Sequence, residues 1–353
     1  MRKHESTSRQ GPNVKAAILG ALVAGAMAAC GGGSSSPGAM SVMAGVNSPL
    51  AITQSNANAT AAEAIVTPAA LGAGAAAGAS AAPASVVPVA LGAIDRRVAQ
   101  AMQPSATVRP AAAGTITISC AVGGSVTVVT STDGKTLTVT LADCSEAAGT
   151  SVNGTQTYTN FTLTTSSSSD SISANVTDAV TIVVGALSFA ETGDYAFALS
   201  VNKGPNGGLT TETFDLSGSS LSVSVSRSGA AADSVTLTSF NFNFEEDQTV
   251  SPHQFYSSLG FTLASSRLNG TITVTTAQEF KQIVDPSETR MYPYTGQLLI
   301  MGADNERLQV TILGDESFVP PAGEGQIELQ LDPGSGTFGA PTWLSWATLT
   351  AAG

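Results

Sequence analysis

The sequence predicts an all-β domain: an antiparallel meander forming a curved sheet or barrel-like body, preceded by a disordered linker. Three observations carry this. From Gly114 onward, short runs alternate apolar and polar residues and recur roughly every 10–15 residues between Gly and Asp breaks. The chain is only 11% charged and rich in Thr and Val, which suits half-buried strands. No long stretch has helical periodicity; Gln278 to Val284 amounts to one or two turns. Strands at this spacing without intervening helices favour antiparallel meanders.

The chain divides into three parts. Residues 1–29 read as an export signal: Arg2, Lys3, Arg9 and Lys15, then the uncharged stretch Ala16 to Ala29. That stretch is too short and too rich in Ala and Gly to span a bilayer, which takes about 20 apolar residues. Residues 30–110 are an Ala/Ser/Pro/Gly tether beginning Cys30-Gly31-Gly32-Gly33. Pro68, Pro83 and Pro88 break its uncharged middle and argue against a membrane helix there. Ile94, Val98 and Met102 allow one short helix within it. A flexible tether of roughly 80 residues spans about 50 Å. Residues 111–353 form the β domain.

The first strands can be checked by register. An Asp133-Gly134 turn of type I′ pairs Val128 with Val139, Val126 with Leu141 and Thr130 with Leu137. Turn chemistry and apolar pattern then agree on one face. Further runs follow at Thr155–Thr164, Ile172–Val184, Tyr195–Val201, Leu209–Leu216, Leu221–Val225, Val235–Phe244, Leu259–Leu263 and Thr271–Thr275. The last group is Gln297–Met301, Leu308–Leu313 and Ile327–Leu331. In Val235–Phe244 the parity changes: Val235 and Leu237 belong to one set, Phe240, Phe242 and Phe244 to the other. A β-bulge at Thr238 or Ser239 brings all five to one core.

Cys120 and Cys144 are the only cysteines besides Cys30. An exported chain meets an oxidising compartment, so they are expected to pair. Closing a loop of about 25 residues is worth roughly 3–4 kcal/mol in the chain-entropy model. Their strands flank a third, about 10 Å apart, beyond the reach of a disulfide. Cys144 must therefore lie past its strand end and fold back over the Ala121–Gly124 turn.

Met27-Ala28-Ala29-Cys30 resembles the lipobox of bacterial lipoproteins, with Met where Leu is usual. The resemblance implies acylation of Cys30 and cleavage before it. Gly31 and Gly32 after the cysteine, rather than Asp, imply sorting to the outer membrane. The alternative is ordinary cleavage at Ala26-Met27-Ala28, leaving a free thiol. The layout Cys120-x-x-Gly123-Gly124, Leu141-x-x-Cys144, Asn153-Gly154 resembles uncharacterised β-rich lipoproteins of Gram-negative bacteria. So does the C-terminal layout: strands at Gly296 and Leu308, a third ending in Asp332, and a Trp-containing end. That resemblance brings no known activity.

No catalytic, metal or cofactor site is expected. His253 is the one histidine left after cleavage, and no G-x-S-x-G elbow, P-loop or dinucleotide fingerprint is present. Asp332-Pro333-Gly334-Ser335-Gly336 lacks the further acids of a calcium loop. Glu245-Glu246-Asp247 reads as a solvated loop, or else as a cation or partner patch. Trp343 and Trp346 read as core anchors, or else as an aromatic platform for sugar or peptidoglycan. Removing residues 1–29 takes away four cations and Glu5, moving the net charge from −12 to −15. Nucleic acid, which needs a basic footprint, is excluded.

The functional expectation is a lipid-anchored envelope protein, held in the outer membrane through Cys30. Its β domain is structural or binding, not enzymatic, and its protein or cell-wall partner is unnamed. The alternative is a carrier that wraps a lipid or other hydrophobic ligand in a curved sheet. An unfilled apolar concavity would mark the carrier; a packed interior would mark the first reading.

Overall fold

Alternation at period two runs through the β region and builds one continuous sheet. The computed structural model describes residues 48–65 and, with short breaks, 114–349. Its strands are β1 (Gly114–Ser119), β2 (Gly123–Thr130), β3 (Leu137–Ser145), β4 (Thr150–Thr165), β5 (Ser169–Val184), β6 (Leu187–Lys203), β7 (Leu209–Arg227) and β8 (Asp233–Asp247). They continue as β9 (Gln254–Ser265), β10 (Gly270–Asp285), β11 (Glu288–Thr289), β12 (Thr295–Met301), β13 (Arg307–Leu313), β14 (Gln326–Asp332) and β15 (Thr342–Leu344). Each strand pairs antiparallel with its sequence neighbour, except that β12 follows β10 and the short β11 hangs on the end of β10. The meander is open. β1 and β15 are its two edges, so the barrel-like option is replaced by an unclosed sheet.

One face carries the core. Its rows run from Val126 and Val128 through Leu137, Val139 and Leu141 to Val176, Val180 and Ile182, all buried. They continue through Phe197, Leu199, Phe214 and Leu216 to Leu298, Ile300, Leu308, Val310, Ile312, Ile327 and Leu329. Phenylalanines fill the middle: Phe242 meets Phe261 edge-on at 5.6 Å, and Phe244 lies between Phe214 (6.1 Å) and Phe255 (5.9 Å). The other face is hydroxyl-rich. Cross-strand pairs tie it together: Thr117–Thr127 at 3.2 Å, Thr162–Ser173 at 2.9 Å and Ser222–Thr236 at 3.0 Å.

The parity change is resolved as expected. Ser239 has φ +50°, and the register with β9 shifts between Thr238 and Asn241. Leu237, Phe240, Phe242 and Phe244 are all buried, and Val235 packs against the same core. The neighbouring strand bends at the same level. Gly218 faces Phe240 in register, and a Cβ on Gly218 would sit 2.5 Å from the ring. A glycine here lets the phenylalanine lie across the backbone.

The β2–β3 register is the expected one: Val126–Leu141, Val128–Val139 and Thr130–Leu137. The turn differs. Gly134 N–H bonds to Ser131 O at 3.0 Å, and the Asp133 carboxylate accepts from Lys135 N–H and Ser131 Oγ–H. The side chain thus organises a turn over residues 131–134, one position earlier than a type I′ pair at 133–134. The Leu209–Leu216 and Leu221–Val225 runs are one 19-residue strand, β7. Gln278 to Val284 is not helical: it belongs to β10, whose register breaks twice there against β12.

The tether requires the largest correction. Residues 48–65, inside the expected linker, are part of the core. Pro49 bridges Thr271 in parallel, Leu50 N–H bonds to Thr271 O at 2.8 Å, and Ala303 N–H bonds to Leu50 O at 2.8 Å. The Ile52 amide donates to the Glu306 carboxylate. Asn56 stands at the start of helix α1 (residues 57–65), and its side chain braces the chain that enters it, accepting from Thr53 N–H and donating to Ala51 O. Ala57, Thr60, Ala61, Ala62, Glu63 and Ala64 are all buried. A helix buried on every side lies inside the fold, and small residues let it approach the sheet closely. Ser265 Oγ donates to Glu63 Oε1 at 2.9 Å, and Arg267 pairs with Glu63 at 3.6 Å. The rest of the expected tether, including Ile94 to Met102, lies outside the described residues.

Candidate functional site

The expected disulfide is formed. Cys120 and Cys144 have Cα atoms 5.5 Å apart. Cys144 lies within β3, beyond a register shift against β4 between Leu141 and Cys144, and is carried back over the 121–124 turn. Asp143 takes φ +47° and Gly124 φ +74° to make the fold-back. A Cβ on Gly124 would lie 2.1 Å from Asp143 O, so only glycine fits. Cys30 lies outside the described residues.

One polar cluster on the inner face was missed in the sequence. Inward residues of β5 read Ala174, Val176, Asp178, Val180 and Ile182, with one acid among aliphatics. Asp178 pairs in register with Gln156 of β4 and Gly193 of β6; Glu191 pairs with Val180, diagonally adjacent. Asp178 is 4% exposed and Glu191 8%. Burial raises the Asp178 carboxyl from its ordinary 3.8 to about 6. Burial, then the charge of Asp178, pushes Glu191 well above the usual carboxyl range. Glu191 is thereby biased toward its protonated form and donates toward Asp178. Gln156 and the Ala179 N–H donate to Asp178 as well. Tyr158 OH completes the chain, bonding to Gln156 Oε1 at 3.2 Å. Asp178 Oδ1 is buried without a hydrogen-bond partner, which disfavours the ionised form of the group. General acid–base chemistry needs hydrogen-bond reach to a substrate. This pair is sealed between strands, so its proton acts on the fold.

A second polar feature sits at the strand ends. A groove of about 680 Å³ is lined by Pro49, Thr271, Gly302, Arg307, Asp332 and Gly334, among others. Arg307 is spent on Asp332 through Nε at 3.0 Å and through Nη2, and it stacks on Phe338 at 4.9 Å. Asp332 Oδ1 accepts from Ser335 N–H, Ser335 Oγ–H and Gly336 N–H. These bonds hold its carboxyl below the usual range, Arg307 contributing most. The Asp332 turn is thus a hydrogen-bonded closure of β14. Among the described residues, no group of three His, Cys, Asp or Glu is placed to hold a metal.

No family model, curated protein or solved structure matches the chain. The remaining singled-out residues are therefore weighed on geometry. Glu245, Glu246 and Asp247 are not loop residues: they end β8, half-buried. Glu246 opposes Glu212 across the ladder, and burial followed by that charge raises Glu212. His253 is near enough to Asp247 to help lower its carboxyl, after the Thr249 hydrogen bonds. The two tryptophans part company. Trp346 is buried with Leu349 in the core; Trp343 is 47% exposed on the edge strand β15. Among the described residues no helix is long and apolar enough to cross a membrane.

Proposed function

We propose that the chain is a lipid-anchored protein of the outer membrane, held through Cys30, whose β domain is a non-catalytic structural or binding module. The anchor rests on Met27-Ala28-Ala29-Cys30, and the observation that favours a packed module over a carrier is the filled inner face. Phe242, Leu263, Leu298, Ile300, Leu308 and Val310 have essentially no solvent-accessible surface. A cavity large enough for water would leave such surface on its walls. α1 lies against the same core. A carrier would instead present an open apolar concavity, so its support is weaker. The buried Asp178–Glu191 pair, sealed from substrate, also favours a module that binds over one that reacts.

The anchor is tested by fractionation. Cys30→Ser is expected to move the protein from membranes to the soluble fraction. Mass spectrometry of the mature chain is expected to find an acylated cysteine at its N-terminus. A mature chain beginning at Ala29, with an unmodified Cys30, refutes it.

A further inference from the structure

We propose that one end of the sheet, formed by the 266–269, 302–306 and 333–336 turns, faces the lipid surface, held there by a leash of only 17 residues, 31–47. The proposal rests on the envelope reading above, from which it takes an acylated Cys30.

The leash ends at the first residue that the fold holds. Thr271 N–H donates to Ser48 O at 2.9 Å, and Leu50 N–H donates to Thr271 O, so residues 48–50 lie along the edge of β10. Leu50 and Ile52 are buried beside the 302–306 turn. A Cβ on Gly302 would sit 2.6 Å from Ile52 Cγ1, so the turn closes on the segment without room for a side chain. Glu63 fastens the same segment again, through Ser265 and Arg267. The 80-residue tether expected from composition is thereby cut to the stretch before Ser48. A Gly/Ser-rich chain of that length spans about 23 Å as a coil, against about 50 Å for the longer one.

The direction of exit follows from the pairing. Pro49 bridges Thr271 in parallel. The chain before Ser48 therefore heads toward the start of β10 at Gly270 and leaves beside the 266–269 turn. The other two turns share this end. Met301 pairs with Thr273, Arg307 pairs with Met301 and Asp332, and a Cβ on Gly334 would lie 2.7 Å from Asp304 O. The 248–253 turn is at the far end of β9, a strand of 12 residues, hence about 40 Å away. Placing that turn on the bilayer would stretch the leash to nearly twice its coil span, at a cost in chain entropy. Placing the near end there needs no stretching. Attraction to headgroups is not required: the charged residues of the near turns are mixed, with Arg267 paired to Glu63 and Asp304 and Glu306 acidic.

The test uses the lipidated full chain in phosphatidylcholine vesicles, with an acceptor dye on some headgroups. A donor dye is placed on Thr337→Cys at the near end or on Val250→Cys at the far end, both exposed positions. With Cys30 acylated and Cys120 and Cys144 bridged, the new thiol is the one that reacts. The Thr337 probe is expected to transfer several-fold more energy to the headgroups than the Val250 probe. Inserting about 60 Gly/Ser residues between residues 47 and 48 restores a span of about 50 Å; it is expected to lower transfer from Thr337 and erase the difference. Equal transfer from the two probes in the natural leash, greater transfer from Val250, or a difference that survives the insertion overturns the proposal. So does exchange of the Leu50 and Ile52 amide hydrogens, in the soluble Cys30→Ser chain, as fast as that of unpaired amides. Acylation of Cys30 is read by mass on the same sample, so a failed anchor is told apart from a failed orientation.

Discussion

Asp178→Asn is expected to stabilise this protein at neutral and alkaline pH. Burial on folding raises the Asp178 carboxyl from its ordinary 3.8 to about 6. At about 1.4 kcal/mol per unit, the ionised group costs the fold up to about 3 kcal/mol. The sign follows from proton counting. Below 3.8 both states hold the proton and there is no penalty. Between 3.8 and about 6 only the folded state holds it, so stability falls as pH rises. Above about 6 both states are ionised and the full penalty persists. Glu191, also raised by burial, contributes a fall of the same sign. Asparagine keeps the acceptor for the Glu191 proton and removes the charge. The variant is expected to gain about 1–3 kcal/mol at pH 8 and little at pH 4. In a domain of this size that is about 2–10 °C in Tm. The assay is urea unfolding followed by circular dichroism at several pH values between 4 and 8. The difference between variant and wild type isolates this site from carboxyls that shift the other way, such as Asp332. A difference that does not grow from pH 4 to pH 8, or a variant less stable at pH 8, refutes the reasoning.

Other perturbations follow from the packing. Replacing both Cys120 and Cys144 by Ala is expected to cost about 3 kcal/mol, read as a lower urea midpoint; an unchanged midpoint would show that the bridge contributes nothing. Ala61→Leu in α1 is expected to cost about 1–3 kcal/mol by overpacking, because Ala61 has no exposed surface. If thermal melts show it is tolerated, α1 is not enclosed by the sheet. Gly218→Ala is expected to cost a similar amount, because its Cβ would meet the Phe240 ring at 2.5 Å and Asp194 O at 2.8 Å. Adding Phe240→Leu should relieve only the ring's share, and full rescue would exclude the backbone contact.

Much of the sheet was legible because independent signals agreed. In β2–β3 the valine pattern specifies the register, and a turn one position earlier than expected still delivers it; a wrong register would have inverted the face. The Ser239 bulge was legible as a break in parity, since five apolar residues cannot otherwise share a core. α1 was not legible. Its Ala-rich segment has the composition of a linker, and a helix buried all round has no polar stripe to contrast with an apolar one. The carboxyl pair was legible in principle. Asp178 has the parity of Val176 and Val180, which places it inward, but an isolated acid in a strand is easily read as solvated. The two tryptophans could not be told apart from spacing alone. β15 ends between them, and that end decides which one is buried.

The order of pairing sets the order of assembly. Each strand of the meander docks on the one made just before it, so the sheet can grow as a zipper with short loops to close. α1 is made first, but its partners come last: Glu63 meets Ser265 across 202 residues, and Ile52 meets Glu306 across 254. Loop-closure entropy grows with that separation, so this segment, which precedes β1 in the chain, waits for β9 to β13 before it finds its place. Until then, its place against the core is empty. Docking of this early segment onto strands far along the chain is thus expected to be a late step of folding.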